Sequence, residues 1–123
     1  MGKKITITIS MIAIILTILI IGCGGKKAEF FGEPLTEQTI TSIDKISTDP
    51  DNHKGKTVKV EGTIVNECPG GHWFYMKGER ELIYVTLSGF ILPQRVGKTV
   101  AVEGSIITEN DKPAILGKGV EVK

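Results

Sequence analysis

The sequence predicts an all-β protein, a small five-stranded Greek-key barrel entered through a short helical lead-in. Three observations predict it. First, GKTVKVEGTIV at Gly55 to Val65 returns 42 residues later as GKTVAVEGSII at Gly97 to Ile107. Two copies this far apart make two like strands of one wall, not a repeat array. Second, from Lys56 to Val122 the chain alternates apolar and polar residues in short runs, the period of half-buried strands. Third, Pro, Gly, Asn and Asp cluster between those runs, at Pro69-Gly70-Gly71, Gly78 and Asn110-Asp111. At 123 residues there is room for one domain.

The chain begins with an address. Met1 to Lys4 is basic, and Ile5 to Ile21 carries no charge and is apolar apart from Thr6, Thr8, Ser10 and Thr17. Ile20-Ile21-Gly22-Cys23 follows. A basic start, an apolar stretch and a small residue before a cleavage point read as a secretory signal over residues 1–22. The tetrad resembles the lipobox of bacterial-type lipoproteins, which implies that Cys23 is acylated and becomes the new N-terminus. The alternative is an uncleaved membrane anchor, since 17 apolar positions reach the lower limit of a span. Either way the expected location is the cell membrane, with the domain on the extracytoplasmic side and the membrane as its first partner. Residues 23–38 (CGGKKAEFFGEPLTEQ) show no period and read as the lipidated Cys with a tether. Within it, one of Phe30 and Phe31 is expected to pack on the barrel, with lipid contact as the alternative.

The domain is expected over residues 39–123. Ser42 can cap a short helix bearing Ile43 and Ile46 on one face. Asp49-Pro50 is a second helical start signal, and His53, which ends that turn, reads as a turn residue more readily than as a ligand. The first strand, about Lys56 to Asn66, turns Val58, Val60 and Ile64 inward and Lys59, Glu61 and Thr63 outward, with Gly62 as a bend. Pro69-Gly70-Gly71 carries type II turn chemistry. The second strand runs from His72 to Lys77 and the third from Glu81 to Leu87. Ser88 to Arg95 fits a helix or loop that plugs one barrel end. The fourth strand repeats the first, with Val100, Val102 and Ile106 inward, Glu103 outward and Gly104 at the bend. Asn110-Asp111 is a turn, and Ala114 to Val122 is the last strand. Five strands, a connector between the third and fourth, and a bent first strand match the OB-fold.

The first hairpin holds the candidate chemistry. Cys68, His72 and the chain's one Trp, Trp73, lie within six residues. Cys68 and His72 can face each other across the turn, within reach of one metal ion. Met76 lies an even number of positions beyond His72. The three make a soft set suited to copper, while zinc would want four ligands. The competing reading is structural, because a Cys with no partner packs as a small hydrophobe; an intermolecular bond is the third. Trp73, Tyr75 and Lys77 share the other face of the second strand, with Tyr84 beside them on the third. Such a face can stack a nucleobase, a sugar ring or a peptide side chain.

Composition narrows the partner. Removal of Lys3 and Lys4 turns a balance of 15 basic and 14 acidic residues into an excess of one acid. That argues against a general nucleic-acid binder and leaves a protein, peptide or glycan. No GxSxG, HExxH or phosphate-loop pattern is present, and the acidic residues read as solvated outward positions such as Glu61 and Glu103, so a non-catalytic binding module is expected.

From Ile43 to Val122 the chain resembles the small exported OB-fold lipoproteins of bacteria and archaea, through its short helix, Asp-Pro and GKxVxVEG lead-in. One subgroup carries Cys-x-x-x-Cys-Trp at the first hairpin. Here the residues are Cys68, His72 and Trp73, so no local disulfide forms and a metal remains open. The haem-carrying OB proteins of cytochrome maturation use a His-x-x-x-Tyr element, which this chain lacks.

Overall fold

The computed structural model describes residues 27–123. Its elements are β1 (Glu29–Gly32), α1 (Ile43–Thr48), β2 (Thr57–Glu67), β3 (Trp73–Lys77), β4 (Leu82–Leu87), β5 (Thr99–Glu109) and β6 (Lys112–Val122). Five strands close a barrel in the order β2-β3-β4-β6-β5, and β5 returns to β2. All pairings within the barrel are antiparallel except β4 with β6. This is the all-β OB-type architecture that the alternation predicts. Cys23 and the expected signal segment lie outside the described residues.

Alternation sends every second side chain inward. Val58, Val60, Ile64, Phe74, Met76, Ile83, Val85, Val100, Val102 and Ile106 form the core. Each such burial contributes about 1.5–3 kcal/mol. The two copies of the repeat pair with each other, antiparallel, with Val60 opposite Val102. Val58 then opposes Gly104, and Val100 opposes Gly62, so the copies are related by a local two-fold axis. The two glycines are required by close approach. A Cβ on Gly62 would stand 2.4 Å from the Lys77 carbonyl oxygen, and one on Gly104 would stand 2.1 Å from that of Leu116. The bulge in β2 falls just beyond Gly62, at Val65.

Two plugs close the ends. Ser42 caps α1 by accepting from the Lys45 N–H at 3.4 Å, and Ile43 and Ile46 enter the core. Asp44 Oδ1 accepts from the Arg80 and Glu81 N–H groups and so holds the β3–β4 turn. Asp49-Pro50 opens one hydrogen-bonded turn closed by Lys54 N–H on Pro50 O, and no second helix forms. At the other end Ser88 to Arg95 is irregular, and Leu92 supplies the plug. Its N–H donates to Gly71 O at 2.9 Å. Gly71, not Gly70, carries the positive φ of 77°, so the Pro69-Gly70 turn is not type II. A Cβ on Gly71 would lie 2.4 Å from Leu92 O, which explains glycine there.

Two sequence expectations are corrected. Much of the supposed tether belongs to the fold. β1 adds a sixth strand, pairing Glu29 to Val122 through Gly32 to Gly119, and Phe31 packs on the core while Phe30 stays exposed. Glu103, expected in solvent, is 6% exposed. Its carboxylate accepts from Thr36 N–H at 2.8 Å, Glu37 N–H at 2.7 Å and the Thr36 hydroxyl at 3.2 Å. The lead-in covers it and supplies the donors that buried charge demands. Glu61, at the same place in the other copy, pairs with Lys123 at the surface.

Candidate functional site

β3 and β4 pair in register, with Tyr75 directly opposite Tyr84 and Trp73 opposite Thr86. Because the core takes Phe74, Met76, Ile83 and Val85, these rings stand on the outer face. Their centroids are 5.2 Å apart for Tyr75–Tyr84, 5.9 Å for Trp73–Tyr84 and 6.0 Å for Trp73–Tyr75. The ring planes of these pairs are inclined by 55°, 43° and 82° in the same order, so the cluster is a folded wall and not a flat platform. Burial holds the Tyr84 phenol above its ordinary range, reinforced by the charges of Glu109, Tyr75 and Cys68 and opposed by a hydrogen bond with Thr86. Tyr84 therefore stays a neutral hydroxyl able to donate a hydrogen bond.

The wall forms one side of a cleft of about 900 Å³. The β3–β4 turn contributes Arg80 and Glu81, β4 contributes Leu82, and the β5–β6 hairpin contributes Glu109, Asn110 and Lys112. That hairpin is tight: Asn110 and Asp111 both have positive φ, 50° and 63°, as the primed two-residue turn requires. Lys77, expected with the aromatics, does not line the cleft. Arg80 and Lys112 supply its cations instead, and neither makes an ion pair among the described residues. Arg80 comes from a turn and Lys112 from the first position of β6, where strand alternation gives no signal.

The hairpin set Cys68, His72 and Met76 is not brought together. Met76 is fully buried, opposite Ile64, whereas His72 is exposed and precedes β3. Cys68 and His72 both lie beside Gly70. A Cβ on Gly70 would lie 3.7 Å from Cys68 Sγ and 3.4 Å from His72 Nε2. The thiol is half-buried, and the backbone N–H of His72, then those of Gly70, Gly71 and Trp73, hold it below the ordinary thiol range against the opposing effect of burial. Such a ring of N–H groups favours a thiolate. Among the described residues no three His, Cys, Asp or Glu side chains are grouped to hold a metal ion.

No family model and no curated protein matches the chain. Solved structures resemble it, among them the following two. The hypothetical protein ygiW from E. coli aligns with a TM-score of 0.52 at 16% identity, over 76% of this chain and 97% of its own. A proposed aspartyl-tRNA synthetase from Leishmania major Friedlin aligns with a TM-score of 0.53 at 10% identity, over 74% of this chain and only 23% of its own. At these identities the likeness is one of fold.

Proposed function

We propose that this chain is a membrane-anchored, extracytoplasmic binding module that holds a peptide or glycan in the aromatic cleft without transforming it. One observation carries the reading: three rings packed within about 6 Å of one another face solvent beside two cations and two carboxylates. Inclined rings grip a sugar or an aromatic side chain by its faces, and Tyr84, Arg80, Glu81 and Lys112 supply directional polar contacts. Trp73 is the chain's one Trp, so its emission reports binding directly. The test is a titration with oligosaccharide and peptide panels beside Trp73→Ala and Tyr84→Ala. Binding lost in both variants with the fold intact supports the reading; loss of the fold in Trp73→Ala makes that ring structural. An oligonucleotide arm is expected to be silent.

The anchor part of the reading rests on the signal-like start and on Cys23. Incorporation of labelled palmitate, lost in Cys23→Ser, is the expected result.

A second reading is favoured by the ring of N–H groups around Cys68: a soft-metal or thiol site at Cys68 with His72, now without Met76. A copper(I) competition titration beside Cys68→Ser decides it, and equal binding by both proteins removes it.

A further inference from the structure

β1 changes where the barrel stands. Had residues 23–38 been a free tether, the domain would stand up to about 50 Å from the acylated residue, at 3.3–3.6 Å per residue. With β1 zipped onto β6, only the stretch from Cys23 to Glu29 remains, at most about 20 Å of extended chain. Glu29 is also the end of β1 that lies level with Val122, the last residue of β6.

That end of the barrel carries exposed apolar side chains. Phe30 is 66% exposed, Ile91 and Val96 57% each, and Val65 42%. They belong to segments tied to one another. Arg95 bridges to the Glu29 carboxylate at 2.8 Å, joining the connector to β1. The Arg95 and Val96 N–H groups donate to Glu67, and Gly97 N–H donates to Ile64 O, joining the connector to β2 on either side of Val65. Phe90 lies against Gly32, and the Leu92 N–H donates to Gly71 O, so Ile91 sits between the far end of β1 and the β2–β3 turn. Exposed apolar residues scattered singly need no explanation; several around the point where an anchored chain enters do.

We propose that this rim, with Phe30, Ile91, Val96 and Val65, seats on the lipid surface, so that the barrel is docked upright and not merely tethered. The proposal rests on the anchor reading given above. It also assigns a direction to the cleft. β6 runs from Lys112 at the cleft to Val122 beside the rim, 11 residues or roughly 30 Å. The Leu82 and Lys112 side of the aromatic cleft then faces away from the membrane, while Trp73 and Tyr75, one strand from Asn66 and Glu67, lie nearer the rim.

The test uses the full chain reconstituted into phospholipid vesicles, with Trp73→Phe to remove the native signal. Phe30→Trp and, separately, Val96→Trp place one reporter on the rim; Leu82→Trp places one at the cleft. Lipids brominated high on the acyl chain should quench both rim reporters at least two-fold and leave the Leu82→Trp reporter unchanged. Flotation with the vesicles but no quenching at either rim position overturns the docking and leaves the anchor standing. Failure to float overturns the anchor and the docking together. Equal quenching at all three positions overturns the upright orientation.

Discussion

Val60 lies directly opposite Val102, where the two copies of the repeat cross. The crossing makes their environments reciprocal, each copy setting its glycine against the other's valine. Gly62→Ala and Gly104→Ala should therefore cost similar amounts, about 2 kcal/mol or more each, because both new Cβ atoms would strike a carbonyl oxygen of a neighbouring strand. Urea unfolding measures it. A cost under half that in either variant means the strand can shift aside, and the close approach is not a constraint.

Glu61 and Glu103 are equivalent in sequence and opposite in environment. Glu103→Gln should destabilise by about 1–3 kcal/mol, since an amide offers a donor where the buried site presents only N–H and O–H groups. Glu61→Gln removes one surface ion pair and should cost less than about 1 kcal/mol. Hydrogen exchange at Thr36 and Glu37 should accelerate only in the Glu103 variant. Equal effects would mean the clasp contributes nothing beyond surface charge.

That pair also marks how far the sequence could be read. Alternation located the core strands, since inward residues such as Val58, Val60, Val100 and Val102 are apolar wherever the period demands. It could not see Glu103 buried, because what covers that position is an aperiodic segment nearly 70 residues earlier. β1 escaped for the same reason: four residues are too few for a period, and their partner is at the far end of the chain. In the site, alternation correctly grouped Trp73, Tyr75 and Tyr84. It failed for His72 and Met76 because the strand begins at Trp73, so the period does not extend back to His72. Arg80 and Lys112 were invisible, since Arg80 lies in the β3–β4 turn, where the period stops, and Lys112 meets the rings only through the parallel pairing of β4 and β6.

The cluster makes a prediction that needs no ligand. Tyr84 stands between Trp73 and Tyr75, within 6 Å of both. Tyr84→Ala should expose the indole, moving its emission to the red and raising iodide quenching, while the circular dichroism of the barrel is kept. Its stability cost should be about 1–2 kcal/mol, the loss of a half-buried ring with its edge contacts. Unchanged Trp73 emission would mean that the rings do not pack in solution.

Cys68 gives the pH dependence. The N–H groups around Sγ place the folded thiol below the unfolded one, which lies near 8.5 in free peptides. The stabilisation is thus fully present above the unfolded value and is lost as pH falls through the folded value, so stability should rise with pH across that interval. The thiol is only half-buried, so the increment should be small and carried by this one side chain. Iodoacetamide alkylation against pH reads it directly: the midpoint in the native protein should fall below that in denaturant, and Cys68→Ser should abolish the rise in stability. His72→Ala should leave the midpoint low, because its backbone N–H, unlike its ring, survives the substitution. If instead the native and denatured midpoints coincide, the turn does not hold a thiolate, and Cys68 is a packing residue.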